Sequence, residues 1–81
     1  MTEFERFLRD ALAVLLEIDA EQVSMSTPFA ELGLDSLLGL RFARAIEDRI
    51  GSEVEFEWVF DYPTVHELAG FLERRCAGVA A

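Results

Sequence analysis

Apolar residues recur along the chain in three blocks of helical spacing, divided by turn-forming residues. Phe4, Phe7, Leu8, Ala11, Leu12, Leu15 and Leu16 form the first stripe, with Glu3, Arg6, Arg9 and Asp10 on the polar side. Thr2 stands three residues before Glu5, the spacing of a capping box. The pattern predicts a first helix that opens at Thr2 and ends near Glu17 or Ile18. Leu38, Phe42, Ala43, Ile46 and Ile50 form the second stripe, on a helix from Ser36 to Ile50 with Gly51 as its C-terminal cap. Leu37, Leu40, Arg41, Arg44, Glu47 and Asp48 fall on its outer face. Gly39 falls on the inner side, where a small residue lets a neighbouring helix approach. The third stripe is Val65, Leu68, Ala69, Phe71 and Leu72. Its helix starts at Pro63-Thr64, with Thr64 and Glu67 again at capping-box spacing and Gly78 marking a ragged end.

The intervening segments are less regular. Residues 18 to 35 read as a long ordered loop, pinned by Ile18 and Val23, with Asp19, Glu21 and Gln22 solvated. Within it, Thr27-Pro28 predicts a cap followed by proline at the first helical position. One short turn then ends at Gly33, with Phe29 and Leu32 folded beneath it. Val54, Phe56, Trp58 and Phe60 alternate with Glu53, Glu55 and Glu57, which is strand periodicity. No second strand pattern exists to pair with it. The stretch is therefore read as an extended connector with alternate side chains inward, followed by a short helical turn near Val59 to Asp61. The expected fold is all-α: a small bundle of three main helices plus one or two short helical turns. It is expected to be one domain over residues 1–81, without repeat or linker.

Composition narrows the function. Sixteen acids stand against seven arginines, with no lysine, for a net charge of −9. Such a surface repels nucleic acid and anionic membrane. It suits basic protein partners, and equally plain solubility. No apolar run is long enough to cross a membrane, and no signal-peptide pattern is present, so a cytoplasmic protein is expected. Cys76 is the sole cysteine, which excludes an internal disulfide. It reads as an inert thiol near the end of the last helix. One histidine and one cysteine argue against a zinc site, and no metal site is expected. His66, in the first turn of the last helix, reads as exposed rather than as a ligand or base.

Chemistry concentrates at Gly33-Leu34-Asp35-Ser36-Leu37. Gly33 suits a tight turn and Asp35 a helix N-cap. Ser36 then sits in the first helical turn, exposed and near the positive end of the helix dipole, a position that favours a phosphate. A serine that merely starts a helix has the same local pattern. A nucleophilic serine needs a base and oxyanion donors. His66 is the only histidine and no second motif supports it, so no enzyme activity is expected.

The motif, entered from Pro28-Phe29-x-x-Leu32, resembles the attachment motif of acyl carrier proteins. The resemblance continues through Leu40-Arg41 into Phe60-Asp61-x-Pro63-Thr64-x-x-x-Leu68-Ala69, and covers essentially the whole chain. It implies that Ser36 carries a 4′-phosphopantetheine arm donated from coenzyme A by a phosphopantetheinyl transferase, with Asp35 assisting a metal-assisted modification. It implies further that the arm holds acyl groups as thioesters. An acyltransferase, ketosynthase or other biosynthetic enzyme would be the partner, and the carrier a monomer. Leu37, Leu40, Arg41 and Arg44 are the docking candidates. Within the family the chain is most similar to polyketide-synthase carriers. It departs from fatty-acid carriers, whose second helix is strongly acidic: residues 36–50 hold three arginines against two acids. A peptidyl carrier of non-ribosomal peptide synthesis, or a fatty-acid carrier, is the alternative pathway, and an unmodified binding module of the same fold the alternative class. The start at Met1 and the end after the last helix suggest a free-standing carrier, although an excised domain would look the same.

Overall fold

The computed structural model describes the backbone of residues 1–80 and the side chains of residues 1–75. Five helices follow in order: α1 (Glu3–Leu16), α2 (Phe29–Leu32), α3 (Ser36–Ile50), α4 (Glu57–Asp61) and α5 (Val65–Ala80). A 3-10 turn, Ala20–Gln22, lies between α1 and α2. No strand occurs among the described residues, as expected of an all-α bundle.

α1 packs against both α3 and α5. Leu8 and Leu12 of α1, Phe42 and Ile46 of α3, and Val65, Leu68 and Leu72 of α5 are fully buried. Each comes from one of the three stripes, and each buried large side chain contributes about 1.5–3 kcal/mol. Leu38 and Phe71, assigned to the inner stripes, are only half-buried. Phe71 lies at the margin of the core, stacked on Tyr62 at 4.3 Å and edge-on to Trp58 at 4.9 Å.

Helix starts follow the capping residues. The Thr2 hydroxyl accepts from Glu5 N at 3.1 Å, and Glu5 Oε1 accepts from Thr2 N at 2.9 Å. At α5 the Thr64 hydroxyl accepts from Glu67 N and donates to Glu67 Oε1, both at 3.1 Å. α5 runs on to Ala80, so Gly78 does not end it. The Cys76 thiol lies outside the described side chains.

Three expectations need correction. Pro28 is itself the N-cap of α2, and Thr27 is not; the helix begins at Phe29. The segment after Ile18 is not merely solvated: the 3-10 turn closes there, and Gln22 Oε1 accepts from Asp19 N at 3.1 Å. The strand-like alternation also fails. Val54 and Trp58 are buried and Glu53, Glu55 and Glu57 exposed, but Val59 is buried and Phe60 is 61% exposed. Helix α4 begins at Glu57, two residues before the expected turn. At about 100° per residue, Trp58 and Val59 share the inner side and Phe60 swings outward.

Glu5 also joins α1 to α5. Its Oε2 lies 2.8 Å from His66 Nδ1, while the carboxylate side chain is only 14% exposed. The bond from Thr2 N and then that to His66 hold the Glu5 carboxyl below its ordinary value of 4.5. Because folding lowers this pKa, the stabilisation is full above the unfolded value and is lost as pH falls through the folded one. Glu5→Gln should therefore lower the melting temperature at neutral pH, and the difference should shrink as pH falls from the ordinary carboxylate value through the lowered folded one. Parallel melting curves at every pH would disprove the ionic contribution of Glu5.

Candidate functional site

The loop before α3 is held at both ends. Leu16 and Ile18 pack against the core, and Val23 is buried in it. Two backbone bonds then tie it to the start of α5: Phe29 N donates to Pro63 O at 2.7 Å, and His66 N to Met25 O at 3.0 Å. α2 closes with Gly33 at φ 108°, a conformation open to glycine and strained for any L-residue. Leu34 N then bonds back to Phe29 O at 3.0 Å, and the Leu34 side chain packs on the core. This reversal leaves Asp35 and Ser36 exposed.

Asp35 is extended and caps α3, its Oδ1 accepting from Leu38 N at 2.8 Å. One carboxylate oxygen is thus engaged in positioning the helix. Ser36 is the first residue of α3, beside backbone N–H groups that lack helical acceptors. The site combines an exposed hydroxyl, an adjacent carboxylate and the positive end of a 15-residue helix. It suits an esterified phosphate. The His66 ring is 76% exposed and engaged with Glu5 rather than with Ser36. No cluster of three His, Cys, Asp or Glu side chains placed to hold a metal occurs among the described residues.

The outer face of α3 extends the site. Leu37 is 59% and Leu40 51% exposed, and Arg41 and Arg44 are exposed beside them. A shallow groove here is lined by Leu40, Arg41, Arg44, Ala45 and Asp48. Neither Arg41 nor Arg44 takes part in an ion pair among the described residues. The structure therefore brings Asp35, Ser36, Leu37, Leu40, Arg41 and Arg44 onto one end and one face of α3.

Sequence reasoning missed the neighbouring edge. Gly39 lies one turn from Ser36, and a Cβ there would fall 2.8 Å from Phe56 Cε1. What the small residue admits is thus the ring of Phe56, the N-cap of α4, rather than the body of a helix. Phe60 packs edge-on against Phe56 with centroids 4.8 Å apart. The i, i+4 spacing of these phenylalanines was the available signal, and the Glu alternation masked it.

Known proteins match this arrangement. The family model described as "Phosphopantetheine attachment site" matches residues 6–72. A phenolphthiocerol/phthiocerol polyketide synthase chain of Mycobacterium tuberculosis is 37% identical over 94% of this chain. Polyketide synthase PksM of Bacillus subtilis is 39% identical over 85%. The chain spans only 4% and 2%, respectively, of the lengths of these curated relatives. Among solved structures, a free-standing peptidyl carrier protein from Acinetobacter baumannii superposes with a TM-score of 0.86. It is 28% identical, with 89% of this chain and 90% of that one covered. The HMG-ACPI domain from the CurA module of Lyngbya majuscula has a TM-score of 0.90 at 25% identity. There, 98% of this chain and 80% of that one are covered.

Proposed function

We propose, because the chain belongs to the phosphopantetheine-attachment family, that Ser36 is the residue through which this carrier protein bears its 4′-phosphopantetheine. The observation that carries this reading is the exposed Ser36 hydroxyl at the capped start of α3. When joined to Ser36 Oγ, the group supplies a thiol that holds an acyl chain as a thioester. The chain's own residues hold and present the serine. Asp35 fixes the first turn through Oδ1, which leaves Oδ2 to assist the transferase. The N–H groups of the first turn favour the phosphate that esterifies the hydroxyl. A phosphopantetheinyl transferase acts first, and biosynthetic enzymes that accept the tethered cargo follow. The carrier itself is read as a cytoplasmic monomer that forms one domain and catalyses nothing.

The pathway is read as polyketide assembly, supported by the identity to two polyketide synthases. The likeness to the solved peptidyl carrier favours non-ribosomal peptide assembly as the second reading. Loading the modified protein with acyl and aminoacyl groups, each by its own loading enzyme, separates the two.

The outer face of α3 is read as the docking surface. Burying an exposed leucine contributes about 1.5–3 kcal/mol, whereas an exposed salt bridge contributes about 1 kcal/mol or less. Leu37 and Leu40 therefore supply adhesion, and Arg41 and Arg44 set orientation. Leu37→Ala and Leu40→Ala should slow modification or acyl loading while leaving the melting temperature unchanged. If only Arg41→Glu slows the reaction, the surface works through charge.

A further inference from the structure

We infer that Thr64, at the start of α5, is a positioning residue for the modification of Ser36. It is the one buried polar residue among those described, at 7% exposure. Buried polar groups need partners, and this hydroxyl makes both of its bonds to Glu67. It accepts from Glu67 N and donates to Glu67 Oε1, which fixes the first turn of α5. Another free N–H of that turn, on His66, is met by the Met25 carbonyl of the loop. The Pro63 carbonyl, just before the turn, accepts from Phe29 N. The loop thus takes its position from the start of α5.

From Phe29 the series of joints continues to the serine. Leu34, two residues before Ser36, donates its N–H to the Phe29 carbonyl. The Phe29 ring, 3% exposed, is wedged edge-on against Phe42 of α3. Asp35 follows Leu34 directly and caps α3. Loosening Thr64 therefore lets Phe29, Leu34 and the Asp35 cap shift together. The body of α3, with Leu40, Arg41 and Arg44, stays packed on α1 through its own stripe. The transfer is sensitive to such a shift. Ser36 Oγ must bond to the phosphorus that bears the pantetheine as the phosphoanhydride bond of coenzyme A breaks. The nucleotide leaves, and the hydroxyl proton passes to the transferase. Misplacing the hydroxyl slows that step without weakening the encounter.

The inference rests on Ser36 as the attachment residue. Its test follows initial rates of arm addition against carrier concentration, with coenzyme A and the transferase, at a temperature where each variant is folded. Thr64→Val should lower kcat about fivefold or more, with KM for the carrier little changed. Partial unfolding gives the opposite split, because it removes usable substrate: apparent KM rises and kcat holds. Thr64→Ser keeps the hydroxyl and should restore kcat. Thr2→Val removes the matching hydroxyl bond at the start of α1 and should leave kcat unchanged. Amide exchange at Phe29 and His66 should quicken in Thr64→Val and not in Thr2→Val. If Thr64→Val does not fold, an ester oxygen in place of the Phe29 N–H, installed by chemical ligation, cuts the same joint and should lower kcat in the same way. An unchanged kcat, an equal fall in Thr2→Val, or no rescue by Thr64→Ser would overturn the inference. A wild-type chain that gains no mass would overturn the assignment of Ser36, and the inference with it.

Discussion

Ser36→Ala should take up no phosphopantetheine where the wild-type chain takes up one. The measurement is intact mass after incubation with coenzyme A and a broad-specificity transferase. The effect is all-or-none because the bond forms at a single oxygen. Other exposed serines are present, but their settings differ. Ser26 lies in the loop before α2. Ser52 follows the C-terminal end of α3, where the helix dipole is negative and disfavours a phosphate. Only Ser36 combines exposure, an adjacent capping carboxylate and the positive end of a long helix. Addition to the alanine variant, or none to the wild type, would sink the assignment. Asp35→Asn separates two effects. Asparagine still caps the helix, so the fold should persist, and a slower modification would then report the lost charge.

Phe42→Ala should cost roughly 3–5 kcal/mol, the range for emptying a buried aromatic site. For a chain of this length the total stability is on the order of 4–12 kcal/mol. The variant would thus lose a large share of its folded margin. Phe42 is fully buried and meets the Phe29 ring edge-on, with centroids 5.4 Å apart. Phe29 belongs to α2, so the loss spreads from the bundle core to the loop before Ser36. Phe42→Leu keeps most of the volume and should cost much less. A melting temperature that barely moves in Phe42→Ala would refute the assignment of faces on α3.

The three long helices and the capped start of α3 at the candidate site were legible because each rests on short-range rules. Capping at Thr2, Asp35 and Thr64 is set by residues within three positions of one another. The faces of α3 follow from spacing alone, which also placed Leu37 and Leu40 outside. The errors fell where short elements depend on tertiary contacts. α4 is too short to show a helical period, and its alternating glutamates mimic a strand. Phe56, against which Phe60 packs, meets Gly39 across the fold, a contact no local pattern announces. The Glu5–His66 bond was hidden for the same reason, since 61 positions separate the bridged residues, whereas the 3-10 turn is local, and its signal was the capping-box spacing of Asp19 and Gln22.

The two backbone bonds from the loop to the start of α5 have a consequence for how the chain acquires its working form. They join residues 25 and 29 to residues 66 and 63, close to half the chain length apart. Contacts of such separation close late, because a long stretch must be ordered before they gain anything. α3 can form early from its own stripe and cap. The strap that aims its first turn cannot, since its anchor lies beyond α3 and α4 in the chain. A chain lacking Pro63 and α5 would therefore leave the loop before Ser36 without these two ties. The amides of Phe29 and His66 should accordingly exchange with solvent as one cooperative unit, opening together before the interior of α3.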